Sequence, residues 1–155
     1  MVTDLFGTIL QELGKLLEIP DLHPDRNHSC LIKLKNGQSI QLELDRGGHF
    51  LILGADLGEV PPGKYRENLF KEALKANEMP YPLHGILAYS KKLEHLILFE
   101  KLYSRELNGE KVFAALTPFA EKALIWEEAL KHNDIPVLSQ VQSSGRSSGM
   151  FGLRP

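Results

Sequence analysis

Cysteine is almost missing from this chain of 155 residues: Cys30 stands alone. One cysteine permits no internal disulfide and no zinc site built on thiolates, and it makes a reduced, cytoplasmic setting the expectation. Long hydrophobic runs are missing as well. None approaches the roughly 18–20 residues of a membrane span, which argues against insertion in a bilayer. The opening Met1-Val2-Thr3-Asp4 has no basic stretch leading into an apolar one, so no signal peptide is expected. Charge of one sign is scarce: the formal net charge is −2. Arg146 and Arg154 lie in a final stretch that holds no acid, and taking these two from the 18 Lys and Arg leaves residues 1–138 with 16 basic groups against 20 acidic ones. A mildly acidic body lacks the cationic surface on which nucleic-acid affinity rests.

What is present is an ordinary globular composition, 43% apolar and 25% charged. The length fits one domain at roughly 100–200 residues per domain. Residues 1–138 form that domain in this reading. Residues 139–155, rich in Ser and Gly, have too little apolar content to order themselves and read as a flexible extension.

Hydrophobic spacing predicts a helix over 3–19, with Leu5, Phe6, Ile9, Leu10, Leu13 and Leu17 on one face and Pro20 as its stop. Strands follow over 29–35 and 38–45. Asn36-Gly37 between them is the dipeptide favoured by a two-residue type I′ hairpin, whose two positions need positive φ. A third strand over 49–57 contains Phe50, Leu51, Ile52 and Leu53 in succession, the mark of a strand covered on both faces. A second helix over 64–77 puts Tyr65, Leu69, Phe70, Ala73 and Leu74 together. Two more strands, 83–89 and 93–101, form a hairpin, and a last helix runs from 108 to 131 with a kink or short break at Pro118. The order is α-β-β-β-α-β-β-α. The expected fold is α+β, a five-stranded mainly antiparallel sheet with three helices on one face.

Chemistry is hard to find. His23, His28, His49, His84, His95 and His132 are scattered, and none is followed by a histidine or carboxylate at helical spacing. No metal, cofactor or catalytic residue is therefore assigned. Cys30 sits on a strand with nothing nearby to lower its pKa. No nucleophile elbow and no phosphate-cradling glycine loop occurs. Trp126 has two readings, a core anchor or the rim of a peptide groove.

The order and several local strings together are similar to the class I type III secretion chaperones, the CesT/SycE-like family. The strings are Leu57-Gly58-Glu59-Val60-Pro61 after the third strand, Ala76-Asn77 closing the second helix, Gly85-Ile86-Leu87-Ala88 paired with Leu96-Ile97-Leu98-Phe99, and Trp126 in the last helix. The resemblance covers residues 3–131. It implies a non-enzymatic, cytoplasmic bacterial homodimer that binds the N-terminal region of secreted effectors in extended form. It also implies delivery to the secretion apparatus, with the secretion ATPase as a further candidate partner. The dimer interface is expected at Leu69, Phe70, Leu74, Ile86 and Ala88. The cargo surface is expected at Leu5, Phe6, Ile9 and Leu10 of the first helix and Cys30, Ile32 and Leu34 of the first strand, because the helix carries a double apolar row. The competing assignment puts all seven of these residues in the core. A dimeric adaptor that handles no unfolded cargo, or an α+β enzyme, are the alternative functions.

Overall fold

The computed structural model describes residues 2–136, with side chains from Leu5 onward; the expected extension at 139–155 and the boundary at 138 lie outside the described residues. Helix α1 spans Val2–Leu17. Phe6, Ile9, Leu10 and Leu13 recur at its helical period and all are buried. The helix closes with a Schellman pair, Glu18 N to Lys15 O at 3.3 Å and Ile19 N to Gly14 O at 2.8 Å. Glu18 takes the left-handed conformation (φ 59°) that glycine usually supplies there, and Pro20 prevents any continuation.

Strands β1 (Ser29–Lys33) and β2 (Ser39–Leu44) form the first hairpin. Its turn differs from the expected type I′. Gly37 alone has positive φ (93°). Gly37 N bonds to Leu34 O and Leu34 N to Gln38 O, which makes a three-residue loop with a glycine bulge. The Asn36 side chain explains the change: its Oδ1 accepts from Gln38 N and its Nδ2 donates to Gln38 Oε1. Gln38 Nε2 in turn donates to Ala120 O at 3.0 Å, fastening the hairpin tip to the last helix.

Strand β3 (Phe50–Glu59) follows, with a bulge between Asp56 and Gly58. Helix α2 occupies Lys64–Asn77, as read from its pattern. Strand β4 (Ile86–Ser90) starts later than the sequence indicates, because the carbonyls of Leu83 and Gly85 are taken by Lys122 Nζ. Strand β5 is His95–Tyr103. The sheet is antiparallel in the order β1-β2-β3-β5-β4. Helix α3 runs unbroken over Gly109–Lys131 with Pro118 inside, and Asn108 caps it by accepting from Lys111 N. The α+β reading and the element order hold. Gly109 lets the two long helices meet: a methyl placed there would lie 2.3 Å from Glu12 Cβ and 2.9 Å from Leu13 N.

The helices cover one face only. Leu42, Leu44, Leu51, Leu53, Ala55, Leu87 and Leu98 point into the core with Val112, Leu116, Phe119, Ala123 and Trp126 of α3. The expectation that β3 is covered on both faces fails within one chain. Phe50 and Ile52 point away from the helices and stay half-buried, since no second layer among the described residues lies over them.

Candidate cargo-binding surface

The apolar double row of α1 is mostly used inside the molecule. Phe6, Ile9, Leu10, Cys30 and Ile32 are buried among core side chains, which corrects their assignment to an open groove: packing of α1 with α3 over a small core consumes most of the stripe. Leu5 is exposed and Leu34 half-buried, so these two keep accessible surface.

An opening lies on each flank of α1. One is a hollow of about 620 Å³ between the helix and the segment that follows it, lined by Leu10, Gly14, Ile19, Leu22 and His23 among others. The other is a groove of about 230 Å³ where α1, the β1–β2 turn and α3 meet, walled by Leu17, Leu34, Leu116 and Leu124 with Ala120 and Glu121. Leu10 and Leu34 of the sequence assignment thus border openings. Leu17 was legible on the α1 face. Leu22, in the segment after α1, was not singled out for a site, nor were Leu116 and Leu124, which meet Leu17 only through the crossing of α1 and α3.

The two sheet edges differ. In the β1–β2 ladder Cys30 and Ile32 turn their backbone groups inward, so Ser29, Leu31 and Lys33 face outward. Ser29 is already engaged: its N donates to Asp25 Oδ1 at 3.0 Å and its O accepts from Asp25 N at 2.8 Å. Leu31 and Lys33 leave a short edge that is unpaired among the described residues. At the opposite edge Asn77, the last residue of α2, pairs with β4 as a strand would. Its Nδ2 donates to Leu87 O and its Oδ1 accepts from Leu87 N, both at 2.9 Å. Asn77→Ala leaves both groups of Leu87 unmatched and is expected to cost about 1–3 kcal/mol, read as a lower urea midpoint. Asn77→Asp, which keeps the acceptor and loses the donor, should fall between. A change below the precision of the midpoint would show that the pairing is replaced at no cost.

Of the dimer candidates, Leu69 is fully buried and offers no surface. Phe70 packs on Tyr89 at a ring separation of 5.0 Å. Leu74 is 65% exposed, a high value for leucine on a helix that otherwise packs. Ile86 and Ala88 lie half-buried on the uncovered sheet face, across from Phe99 and Ile97 of β5. With Phe50 and Ile52 they make an apolar band over three strands.

Burial pushes the Cys30 thiol up from its ordinary value, the opposite of an activated nucleophile. Desolvation raises Glu100 and lowers Lys122, and each charge partly offsets the other. Lys122 is held by the carbonyls of Leu83 and Gly85 at 2.9 and 2.8 Å, a structural tie between α3 and the approach to β4. Among the described residues no group of three His, Cys, Asp or Glu is placed to hold a metal, and no helix is long and apolar enough to cross a membrane.

Two openings along α1 and a strand edge unpaired among the described residues thus lie on an α+β scaffold. The model of the Tir chaperone protein (CesT) family matches residues 8–127, and the chain belongs to that family; it is a chaperone of type III secretion. The fold is similar to solved structures of such proteins. A chain of the Yersinia pestis type III secretion chaperone SycH in complex with a stable fragment of YscM2 aligns with TM-score 0.63 at 15% identity, over 78% of this chain and 98% of that one. A chain of the HopA1–SchA chaperone–effector complex gives 0.66 at 19% identity, over 81% and 94%. A chain of the ExoT–SpcS complex from Pseudomonas aeruginosa gives 0.57 at 14% identity, over 81% and 97%. No curated protein sequence matches the chain.

Proposed function

We propose that this protein is a non-enzymatic, cytoplasmic homodimer that binds the N-terminal region of a secreted effector in extended form and delivers it to the secretion apparatus, with the secretion ATPase as a contact on that route. The observation that carries the cargo reading is the Leu31–Lys33 edge, unpaired among the described residues and followed directly by Leu34, which walls the groove between α1 and α3. An extended segment adds a strand to such an edge by main-chain hydrogen bonds and sets alternate side chains into adjacent hollows. Each well-buried apolar anchor contributes about 1.5–3 kcal/mol, so a few anchors offset the ordering of an unfolded segment. The resemblance to chaperones solved with effectors supports the same reading. The test is co-purification from the native cell followed by limited proteolysis of the complex. Protection of an N-terminal effector segment supports the proposal; a partner bound only as a folded domain would favour an adaptor.

Support for the dimer comes from the band formed by Ile52, Ile86, Ala88, Ile97 and Phe99 and from the exposed Leu74 of α2. A second copy is the natural cover, and a stable interface buries on the order of 1,200–2,000 Å². Light scattering at micromolar concentration is expected to give twice the 17.4 kDa chain mass. Leu74→Glu combined with Ile97→Glu should halve that mass while circular dichroism keeps the folded signal. A wild-type mass of one chain would end the dimer proposal.

A further inference from the structure

The groove between α1, the β1–β2 turn and α3 is small. At about 230 Å³ it falls below the roughly 300–1,000 Å³ usual for small-molecule sites, and its leucine walls suit apolar side chains carried on a chain. One such chain is present in the same molecule. Residues 146–154 read Arg-Ser-Ser-Gly-Met-Phe-Gly-Leu-Arg, with Phe151 and Leu153 two positions apart between two arginines. Two positions is the spacing at which an extended segment turns side chains to one side. Asp134 is the last acid in the sequence, whereas Glu121 lines the groove.

We propose that the segment Met150–Leu153 occupies this groove when no effector is bound, with Phe151 and Leu153 against Leu17, Leu34, Leu116 and Leu124 and an arginine near Glu121. The proposal rests on the cargo reading above and adds regulation of that surface: effector must displace the chain's own segment.

The reach is adequate. The described chain passes the start of α2, where Tyr65 Oη donates to Asp134 O at 2.8 Å. About 15 residues separate Pro136 from Phe151, and a Gly/Ser-rich stretch of that length has a root-mean-square span of about 20 Å. From the C-terminal end of α3, Leu124 and Leu116 lie roughly 10 and 22 Å back along the axis at 1.5 Å per residue. Span and tether match, the condition under which the local concentration of a tethered segment reaches the millimolar range. A weak segment is then sufficient to cover the groove, and weak enough to yield to a cargo with more anchors.

The experiment uses the purified full-length chain with a photoreactive p-benzoylphenylalanine in place of Phe151. Irradiation followed by peptide mass mapping is expected to give adducts on the peptides that carry Leu34 and residues 116–124, within one chain or between the two of a dimer. Leu153→Asp should reduce their yield at least fivefold. Adducts scattered over the surface, or unaltered by Leu153→Asp, overturn the proposal. The cargo reading is scored separately, by the amount of effector that co-purifies with Leu34→Glu and Leu124→Glu from the native cell. Groove adducts with unchanged effector recovery leave the segment in its groove and remove the groove from the cargo path, so the regulatory claim fails. Absent adducts with lost effector recovery overturn the proposal and leave the cargo reading standing.

Discussion

Trp126→Ala is expected to lower the unfolding free energy by about 3–5 kcal/mol, the range for deleting a large buried aromatic. Trp126 is 2% exposed and among the largest fully buried side chains, on the face of α3 that carries Val112, Leu116, Phe119 and Ala123. The void cannot close easily, because α3 is held along its length: Gln38 binds its middle at Ala120, Lys122 ties it to the approach to β4, and Gly109 seats its start against α1. Against a typical total of 5–15 kcal/mol, such a loss leaves a marginal fold. Urea unfolding followed by far-ultraviolet circular dichroism is the measurement, since Trp126 is the single tryptophan and its fluorescence goes with it. Trp126→Phe should recover most of the loss. A cost below about 1 kcal/mol is that of a surface position and would return Trp126 to the rim of a groove.

Leu31→Pro is expected to abolish strand addition while sparing the fold. The N–H of Leu31 faces out of the sheet, so proline there removes no ladder bond of the chaperone itself. The side chain is 62% exposed, and its loss leaves no cavity. A cargo strand, by contrast, loses a donor at the centre of a short edge and meets the ring. Each hydrogen bond contributes about 0.5–1.5 kcal/mol net, so losing the register of two or three predicts a drop of at least tenfold in effector affinity. Titration calorimetry with the mapped effector segment reads it, beside a melting temperature unchanged within a few degrees. Undiminished affinity in a folded Leu31→Pro chain would show that cargo is held by side chains in the openings and that the edge plays no part. Ile32→Pro serves as the contrast, because Ile32 turns its N–H inward and its side chain into the core.

Much of the architecture was legible because local patterns and tertiary demands agree. The α2 range matches its periodicity to the residue, and the alternation Ile40, Leu42, Leu44 is buried residue for residue. Two readings failed for reasons outside local pattern. Asn36-Gly37 gave a bulged loop because Asn36 is drawn to Gln38, itself committed to α3 eighty-two positions away. Phe50 and Ile52 read as doubly covered because the pattern records apolar side chains and not the layers that lie over them. The site was legible only as a region. Most side chains of the α1 stripe are core, and the open groove beside that helix is made by Leu17, Leu116 and Leu124, whose meeting depends on how α1 crosses α3.

Asn77 closes one side of the sheet with a single amide, and this has a bearing on how these molecules behave when crowded. A ribbon that elongates needs two reactive ends, one to accept a newcomer and one to present to the next. Here the β4 end is blocked at Leu87, as a cap blocks a growing chain, while the β1 end stays open at Leu31 and Lys33 among the described residues. Edge-to-edge joining through β4 is therefore hindered, and a contact of β1 against β1 stops at a pair. A protein that handles unfolded, sticky segments can thus keep one edge available for them without stacking into a fibre of its own.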